Sequence, residues 1–284
     1  MPPHHLHDND ELHDHDLGLS HDLPTLLNRR RALGLLTGAG LAAALAACSS
    51  DGTSPATTSS SGSAASPTTA ASTTAAAGTE IPEETAGPYP GDGSNGVNVL
   101  TESGIVRSDI TGSFGTASGV AAGVPLTITL KVLDTANGSA PLEGAAVYLW
   151  HCDQSGRYSL YSDGVTNENY LRGVQAAAAD GTVTFTSIYP AAYSGRWPHI
   201  HFEVYPSLAD ATRASGKLRT SQVALPEKPS KLVYATDGYD ASLGNLAQTS
   251  LQTDMVFGDG WSLQLGKVSG DVDTGMTVGL NVPV

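Results

Sequence analysis

The chain has 284 residues and is acidic, with 28 Asp and Glu against 14 Lys and Arg. This balance, without any basic stripe in the sequence, argues against nucleic acid as a partner. Aromatic residues (6%) and charged residues (15%) are sparse and glycine is frequent, a composition that favours strands and turns over helices.

Residues 1–48 have the character of a targeting segment. Three arginines, Arg29 to Arg31, precede a small apolar run that is too short to span a bilayer comfortably. The run ends in Leu45-Ala46-Ala47-Cys48, which resembles a bacterial lipobox, and the arginines resemble a twin-arginine export signal. An ordinary secretory signal is the alternative. We therefore expect export, with the protein lipid-anchored through Cys48 to the outer face of a bacterial cell membrane, or secreted.

Residues 49–82 are predicted to form a disordered linker, because they are nearly all Ser, Thr, Ala, Gly and Pro up to Thr79 and have little to bury. As a flexible coil, this segment would hold a domain roughly 30 Å from a membrane. The folded domain is predicted over residues 83–284. Its single cysteine, Cys152, has no partner for a disulfide if Cys48 is lipidated.

Six segments of the domain are predicted to be strands. Leu126 to Val132 alternates apolar and polar residues, as a half-buried strand does. The other five are short apolar or alternating segments, at 145–152, 181–188, 199–205, 262–268 and 276–282. Turn-rich sequence separates the strands, and only residues 229–239 suggest a short helical turn. We therefore predict an all-β fold, a β-sandwich with short helical turns in its loops.

Two histidines of the domain, His199 and His201, are one residue apart on a predicted strand. Alternate residues of a strand face the same way, so both imidazoles are expected on one face and Ile200 on the other. Taken alone, the pair fits a half-built metal site and two hydrogen-bonded histidines at a sheet edge equally well. All ten tyrosines also lie in the domain. Two phenolates added to two imidazoles would favour Fe(III), because phenolate is a hard anionic ligand.

Longer stretches of the domain resemble the intradiol ring-cleavage dioxygenases, whose members include protocatechuate 3,4-dioxygenase and catechol 1,2-dioxygenase. The resemblance is strongest in VYLWHCDQSGRYSLYSDG (147–164) and NYLRGVQAAAADGTVTFTSIYPAAYSGRWPHIHFEVY (169–205). It extends to ETAGPYP (84–90), TSQVALP (220–226) and TDMVFGDG (253–260). The exported, often lipid-anchored branch of the family is the most similar.

The resemblance implies four iron ligands, which are Tyr158, Tyr193, His199 and His201. Tyr193 would be the axial tyrosinate, which leaves the metal when a catecholate binds. The resemblance also implies that Arg196 lies beside the substrate ring and, less directly, that Gln222 lines the same pocket. The remaining nearby tyrosines are expected to pack or to form pocket walls; they are Tyr161, Tyr170 and Tyr189.

The expected activity is that of a non-haem Fe(III)-dependent intradiol dioxygenase. Such an enzyme inserts both atoms of O2 into a catechol-type aromatic and yields a muconate-type diacid. One alternative is a non-catalytic cell-surface binding module on the same sandwich. Another is an Fe(II) site formed by the two histidines and Glu203, two residues further along the same strand face. The sequence leaves the particular catechol and the oligomeric state open, and the only membrane contact it suggests is the lipid anchor.

Overall fold

The computed structural model describes residues 78–284, so the predicted targeting segment and most of the predicted linker lie outside these residues. Ile81 is part of the packed domain, since it is fully buried and donates its backbone N–H to the carbonyl of Pro283. Ile81 lies inside the segment assigned to the linker, ahead of the predicted domain boundary at residue 83. None of the helices in residues 78–284 is long and apolar enough to cross a membrane.

Short strands dominate these residues, and the helices are limited to one or two turns. The strands are β1 (Pro125–Asp134), β2 (Ala140–Pro141), β3 (Ala146–Trp150), β4 (Arg172–Ala176), β5 (Thr182–Ile188), β6 (His199–Tyr205), β7 (Arg219–Ala224), β8 (Lys267–Asp271) and β9 (Gly275–Pro283). The helices are α1 (Leu208–Ala211), α2 (Glu227–Val233) and α3 (Ser242–Leu246), with a 3-10 turn at Phe257–Asp259.

The strands form two sheets, which confirms the predicted all-β sandwich-like fold. One sheet has five strands in the order β2-β1-β9-β8, with β5 also paired to β1. The other has four strands in the order β4-β3-β6-β7. Every pairing is antiparallel except that of β1 with β9, which is parallel.

The burial of each strand follows from its sequence and position. In β1, four apolar side chains at alternate positions, Leu126, Ile128, Leu130 and Val132, are buried, as the period of a strand requires. In β6 all seven residues are buried, because this strand lies between β3 and β7 in the four-stranded sheet. Polar side chains on β6 are therefore held inside the protein, where each needs a partner.

Five predicted strands are observed, within two residues at each end, and the predicted segment 199–205 is β6 itself. The short helical turn expected at 229–239 corresponds to the end of α2. The strand predicted at 262–268 is wrong for most of its length, since β8 begins only at Lys267. Residues 261–265 instead form a turn, closed by the bond from the N–H of Gln264 to the carbonyl of Trp261.

The segment that precedes the sandwich, residues 81–91, is called the N-terminal strap below. It crosses β7, where the Glu84 N–H bonds the Thr220 carbonyl at 2.8 Å. Its far end is held by Arg172, a buried side chain of β4 that donates to the carbonyls of Tyr89 and Pro90 at 3.0 and 2.8 Å. The strap is therefore fixed at both ends across the four-stranded sheet.

Candidate metal centre

Four side chains from three parts of the chain converge at the start of β6. His199 and His201 lie on β6, Tyr158 lies in the loop between β3 and β4, and Tyr193 lies in the loop before β6. The two Nε2 atoms of the histidines are 3.1 Å apart. His199 Nε2 is also 3.1 Å from the phenol oxygen of Tyr193 and 3.5 Å from that of Tyr158. The two phenol oxygens are 3.5 Å apart.

These distances suit a shared metal ion. Metal bonds to nitrogen and oxygen of about 2.0–2.2 Å place neighbouring donors about 3 Å apart. Within residues 78–284 no group of three or more His, Cys, Asp or Glu side chains could hold a metal ion. Among the described residues, the phenol oxygens of Tyr158 and Tyr193 are the oxygen donors within 3.5 Å of His199 Nε2. Two imidazoles and two phenols form a donor set for a hard cation.

Local contacts orient the two imidazoles. His199 Nδ1 lies 2.5 Å from the carbonyl of Trp197, so it carries the proton and donates it. The Nε2 atom of His199 then has a free lone pair, the arrangement that metal-binding histidines adopt. For His201, no described residue bonds Nδ1. Its ring instead contacts the indole of Trp150 and is approached by Gly87 of the N-terminal strap.

In the protein without a bound metal ion, burial keeps the two imidazoles and the phenol of Tyr158 uncharged. Burial, with the charge of Arg196 second, lowers the pKa of His199 to about 3. Burial, with His199 second, lowers the pKa of His201 well below its ordinary value. For Tyr158, burial and then Tyr193 raise the pKa well above its ordinary value, and Arg196 opposes them. A bound cation would therefore have to displace the phenolic proton of Tyr158.

Arg196 and Gln222 lie together beside this cluster. Arg196 is buried, and its guanidinium donates to the Gln222 side-chain oxygen at 2.8 Å. Gln222 is the register partner of His201 across β6 and β7, and its amide donates to the Thr85 carbonyl at 3.0 Å. Burial disfavours the charge of Arg196, but Tyr193 and Asp254 outweigh this and raise its pKa above the ordinary value. The site thus contains one buried permanent cation.

The other tyrosines considered from the sequence have partners of their own. Tyr161 accepts from the Gly91 N–H, Tyr170 donates to Asp153, and Tyr189 bonds Ser230. These contacts agree with packing roles. Cys152 is buried and is not part of a disulfide, which agrees with packing as a small apolar side chain.

Glu203 is not gathered with the histidines. Its carboxylate accepts from the Tyr205 hydroxyl at 2.7 Å and from the Lys217 ammonium at 2.6 Å. Burial raises its pKa to about 7. The alternative site of two histidines and one carboxylate has no support in this geometry.

Two residues of the site are absent from the sequence-based prediction. Trp150, at the end of β3, lies against His201. Asp254, in the loop between α3 and the 3-10 turn, binds Arg196. Asp254 lies within the stretch 253–260 that supported the resemblance, but its position in the chain gives no indication of its partner.

Comparison with known proteins agrees with this fold. A sequence model of the Dioxygenase family matches residues 108–208. An intradiol ring-cleavage dioxygenase from Tetranychus urticae has a similar structure, with a TM-score of 0.56 and 25% identity over 72% of this chain and 94% of that one. Another solved dioxygenase gives a TM-score of 0.55 and 24% identity over 72% and 93% of the two chains.

Among curated proteins, chlorocatechol 1,2-dioxygenase from Rhodococcus opacus is 37% identical over 65 residues. This match covers 23% of the present chain and spans about a quarter (24%) of the length of that relative.

Together, the two-sheet fold and the family match make this chain similar to dioxygenases built on a β-sandwich. More narrowly, the chain is similar to the intradiol ring-cleavage dioxygenases, which confirms the resemblance expected from its sequence. The four predicted ligands and Arg196 all lie within the matched residues, whereas Gln222 lies outside them. Membership of the exported, lipid-anchored branch depends on residues outside 78–284 and stays a prediction.

Proposed function

We propose that this protein is a non-haem Fe(III) enzyme that cleaves a catechol-type aromatic between its two hydroxyl-bearing carbons. Both atoms of O2 enter the product, a muconate-type diacid. The observation that supports this most directly is the convergence of two imidazoles and two phenols within 3.1–3.5 Å. Fe(III) suits this set by hardness. When bound, it would supply Lewis-acid chemistry that activates a catechol toward O2.

The two tyrosines are proposed to have different roles because their surroundings differ. Tyr158 is buried, with 2% of its surface exposed, and its backbone N–H bonds the Ser162 hydroxyl. It is suited to be a permanent ligand. Tyr193 is only partly buried and lies in a loop that contains Gly195. Tyr193 is suited to be an exchangeable ligand, and its phenol oxygen would accept a proton from a catechol hydroxyl.

Arg196 is proposed to stabilise negative charge on the bound substrate. Its guanidinium is buried and permanently charged, and its direction is fixed by Gln222. A fixed cation in a water-poor site interacts with developing charge far more strongly than one in water. Gln222 is itself held by the N-terminal strap through Thr85. The strap thus holds the side chain that orients Arg196.

The proposed activity is tested on purified protein supplied with Fe(III). We expect a visible absorption band from phenolate-to-iron charge transfer, which shifts when a catechol is added without air. Under isotopically labelled O2, mass spectrometry should find both labelled atoms in one ring-opened diacid. The double variant His199→Ala/His201→Ala is the control and should lack iron, band and product. A colourless protein with stoichiometric zinc, and no O2 uptake with a panel of catechols, would contradict the proposal.

We also propose that the enzyme acts outside the cytoplasm, attached through lipid at Cys48. This rests on the three arginines at 29–31 and on the residues that precede Cys48.

A further inference from the structure

Asp254 is a fully buried carboxylate, and its protein partners are all N–H donors. Oδ2 accepts from Arg196 Nε at 3.0 Å and from the backbone N–H of Trp197 at 2.7 Å. Oδ1 accepts from the backbone N–H groups of Val256 and Phe257 at 2.9 and 3.1 Å. A second guanidinium nitrogen of Arg196 lies 3.5 Å from Oδ1. One side chain thus binds two consecutive residues of the segment that leads into β6.

The contact with Trp197 links Asp254 to the four predicted ligands. The carbonyl of Trp197 accepts the proton of His199 Nδ1 at 2.5 Å, and its indole donates to the Leu225 carbonyl at 2.8 Å. Trp197 is therefore held at three points. A shift of its backbone would rotate the imidazole of His199, because that imidazole is bonded to the Trp197 carbonyl. Asp254 is linked to His199 through this single residue.

We propose that Asp254 is a positioning residue that sets the guanidinium of Arg196 and the imidazole of His199 relative to each other. This inference rests on the proposed function. The hydrogen bonds of the Asp254 carboxylate go to Arg196, Trp197, Val256 and Phe257, none of which is a predicted ligand. It acts through Arg196 by an ion pair and through Trp197 by a backbone hydrogen bond.

A carboxylate is the side chain that this position requires. Each of its five contacts comes from an N–H donor, so both oxygens must accept. Asparagine would turn its amide N–H2 toward at least one pair of these donors, whichever way it is oriented. The buried charge of Arg196 would also lose its counter-ion. Asp254→Asn is therefore a nearly isosteric change that removes this positioning.

The test compares wild type with Asp254→Asn in three measurements: iron affinity by chelator competition, the visible band, and kcat and KM for a catechol. We expect a loss of about 10–100-fold in kcat/KM and weaker iron binding, as for other residues that orient metal ligands. The band should shift, because the imidazole of His199 is no longer fixed. Wild-type iron affinity, band and turnover in folded Asp254→Asn would overturn the inference.

A double-variant comparison separates positioning from general destabilisation. Because Asp254 acts on turnover partly through Arg196, adding Asp254→Asn to Arg196→Ala should lower kcat by a smaller factor than Asp254→Asn does in wild type. An equal loss in both backgrounds would overturn the link to Arg196. Should Asp254→Asn fail to fold, Asp254→Glu keeps the charge but displaces it. Folded Asp254→Glu with wild-type kcat and band would likewise overturn the inference.

The matched control is Asp92→Asn. Asp92 is also buried and ion-paired, to Lys217 at 3.5 Å, and its side chain is hydrogen-bonded to Ser94 and Glu203, neither of which is a predicted ligand. We expect this variant to keep the band and turnover of wild type. If wild type itself has no iron and no catechol turnover, the proposed function fails. If wild type is active and Asp254→Asn matches it, only this inference fails.

Discussion

The imidazole of His201 lies nearly parallel to the indole of Trp150, with ring centroids 4.9 Å apart and an interplanar angle of 8°. The two residues are register partners on β3 and β6, so the strand pairing itself brings the rings face to face. Tyr148 also stacks on this indole, with ring centroids 4.9 Å apart and an interplanar angle of 22°. Since no described residue bonds His201 Nδ1, the plane of this imidazole is set by stacking.

Replacement of Trp150 should therefore weaken the metal centre. We expect Trp150→Leu to reduce iron affinity by about ten-fold, the lower end of the cost of removing a group that orients a metal ligand. Trp150→Phe keeps an aromatic face and should lose less. Chelator competition measures both, with Trp261→Phe as the control because Trp261 makes no ring contact with the cluster. Equal iron affinity in Trp150→Leu and wild type would show that stacking does not orient His201.

The two tyrosines should respond differently to loss of the phenol oxygen. In Tyr158→Phe, iron binding and the visible band should weaken both at rest and with catechol bound, because a permanent ligand is lost. In Tyr193→Phe, the resting band should change while the catechol-bound band stays largely intact, since that ligand has already left. Anaerobic titration with a catechol distinguishes the two. A band that survives the double Phe variant would exclude tyrosinate ligation.

Arg196→Ala should keep iron and colour, since arginine is not a ligand, but lose about 10²–10³-fold in turnover through the missing charge. The protein should also unfold at a lower temperature, because buried Asp254 would keep its backbone N–H partners but lose its counter-ion. Arg196→Lys restores the charge without the planar fork and should recover part of the turnover. Unchanged turnover in Arg196→Ala would remove this residue from the mechanism.

The thermal stability of the metal-free protein should depend on Glu84. Burial, with Asp259 second, raises the pKa of Glu84 from 4.5 to about 7. Between these two values the folded state keeps a proton that the unfolded state releases, so stability falls as the pH rises through this window. Glu84→Gln cannot ionise and should remove this contribution to the pH dependence of the melting temperature. Glu203, whose pKa is also raised, contributes with the same sign, whereas buried His199 and His201, whose pKa values are lowered, contribute with the opposite sign in both proteins. A slope identical to that of wild type would contradict the shift at Glu84.

Attachment to a membrane should depend on Cys48. In a bacterial host that processes lipoproteins, Cys48→Ser should be exported but recovered in soluble form, because serine cannot accept the thioether-linked lipid. Fractionation followed by immunoblotting measures this. Recovery of the serine variant with the membrane would mean that the segment before residue 49 is not a lipobox.

The alternation of apolar residues in the strands and the resemblance to a known family allowed much of this fold and of the candidate site to be predicted. The alternation in β1 and the His-x-His spacing are local properties, and each sets a side-chain direction directly. β7 was not predicted as a strand because Ser221 and Gln222 are polar yet buried, their side chains being bonded to Gln264 and to the strap. The alternation of Leu263 and Leu265 with polar residues is typical of a strand, but these residues lie in a turn. The carbonyl of Gln264 in this turn accepts from the Ala224 N–H of β7.

The pair Arg196 and Asp254 could not be predicted for a different reason. The two residues are 58 positions apart, and neither the loop around Asp254 nor the segment before β6 has a repeating pattern. Their contact exists only in the folded chain. The stacking of Trp150 on His201 was also hidden, because it requires the register of β3 against β6.

The matched segment 108–208 includes every predicted ligand, yet it could not be transplanted as a working cassette. Gln222 and Asp254 follow it and the N-terminal strap precedes it, so a hybrid made by moving this segment into another sandwich would depend on its host for both supports. β9, which pairs with β1 along eight residue positions, would also have to come from the host. Recombination between this chain and similar dioxygenases should therefore yield active hybrids only where the crossover points keep Ile81 to Gly91 and the loop of Asp254 with the ligands they support.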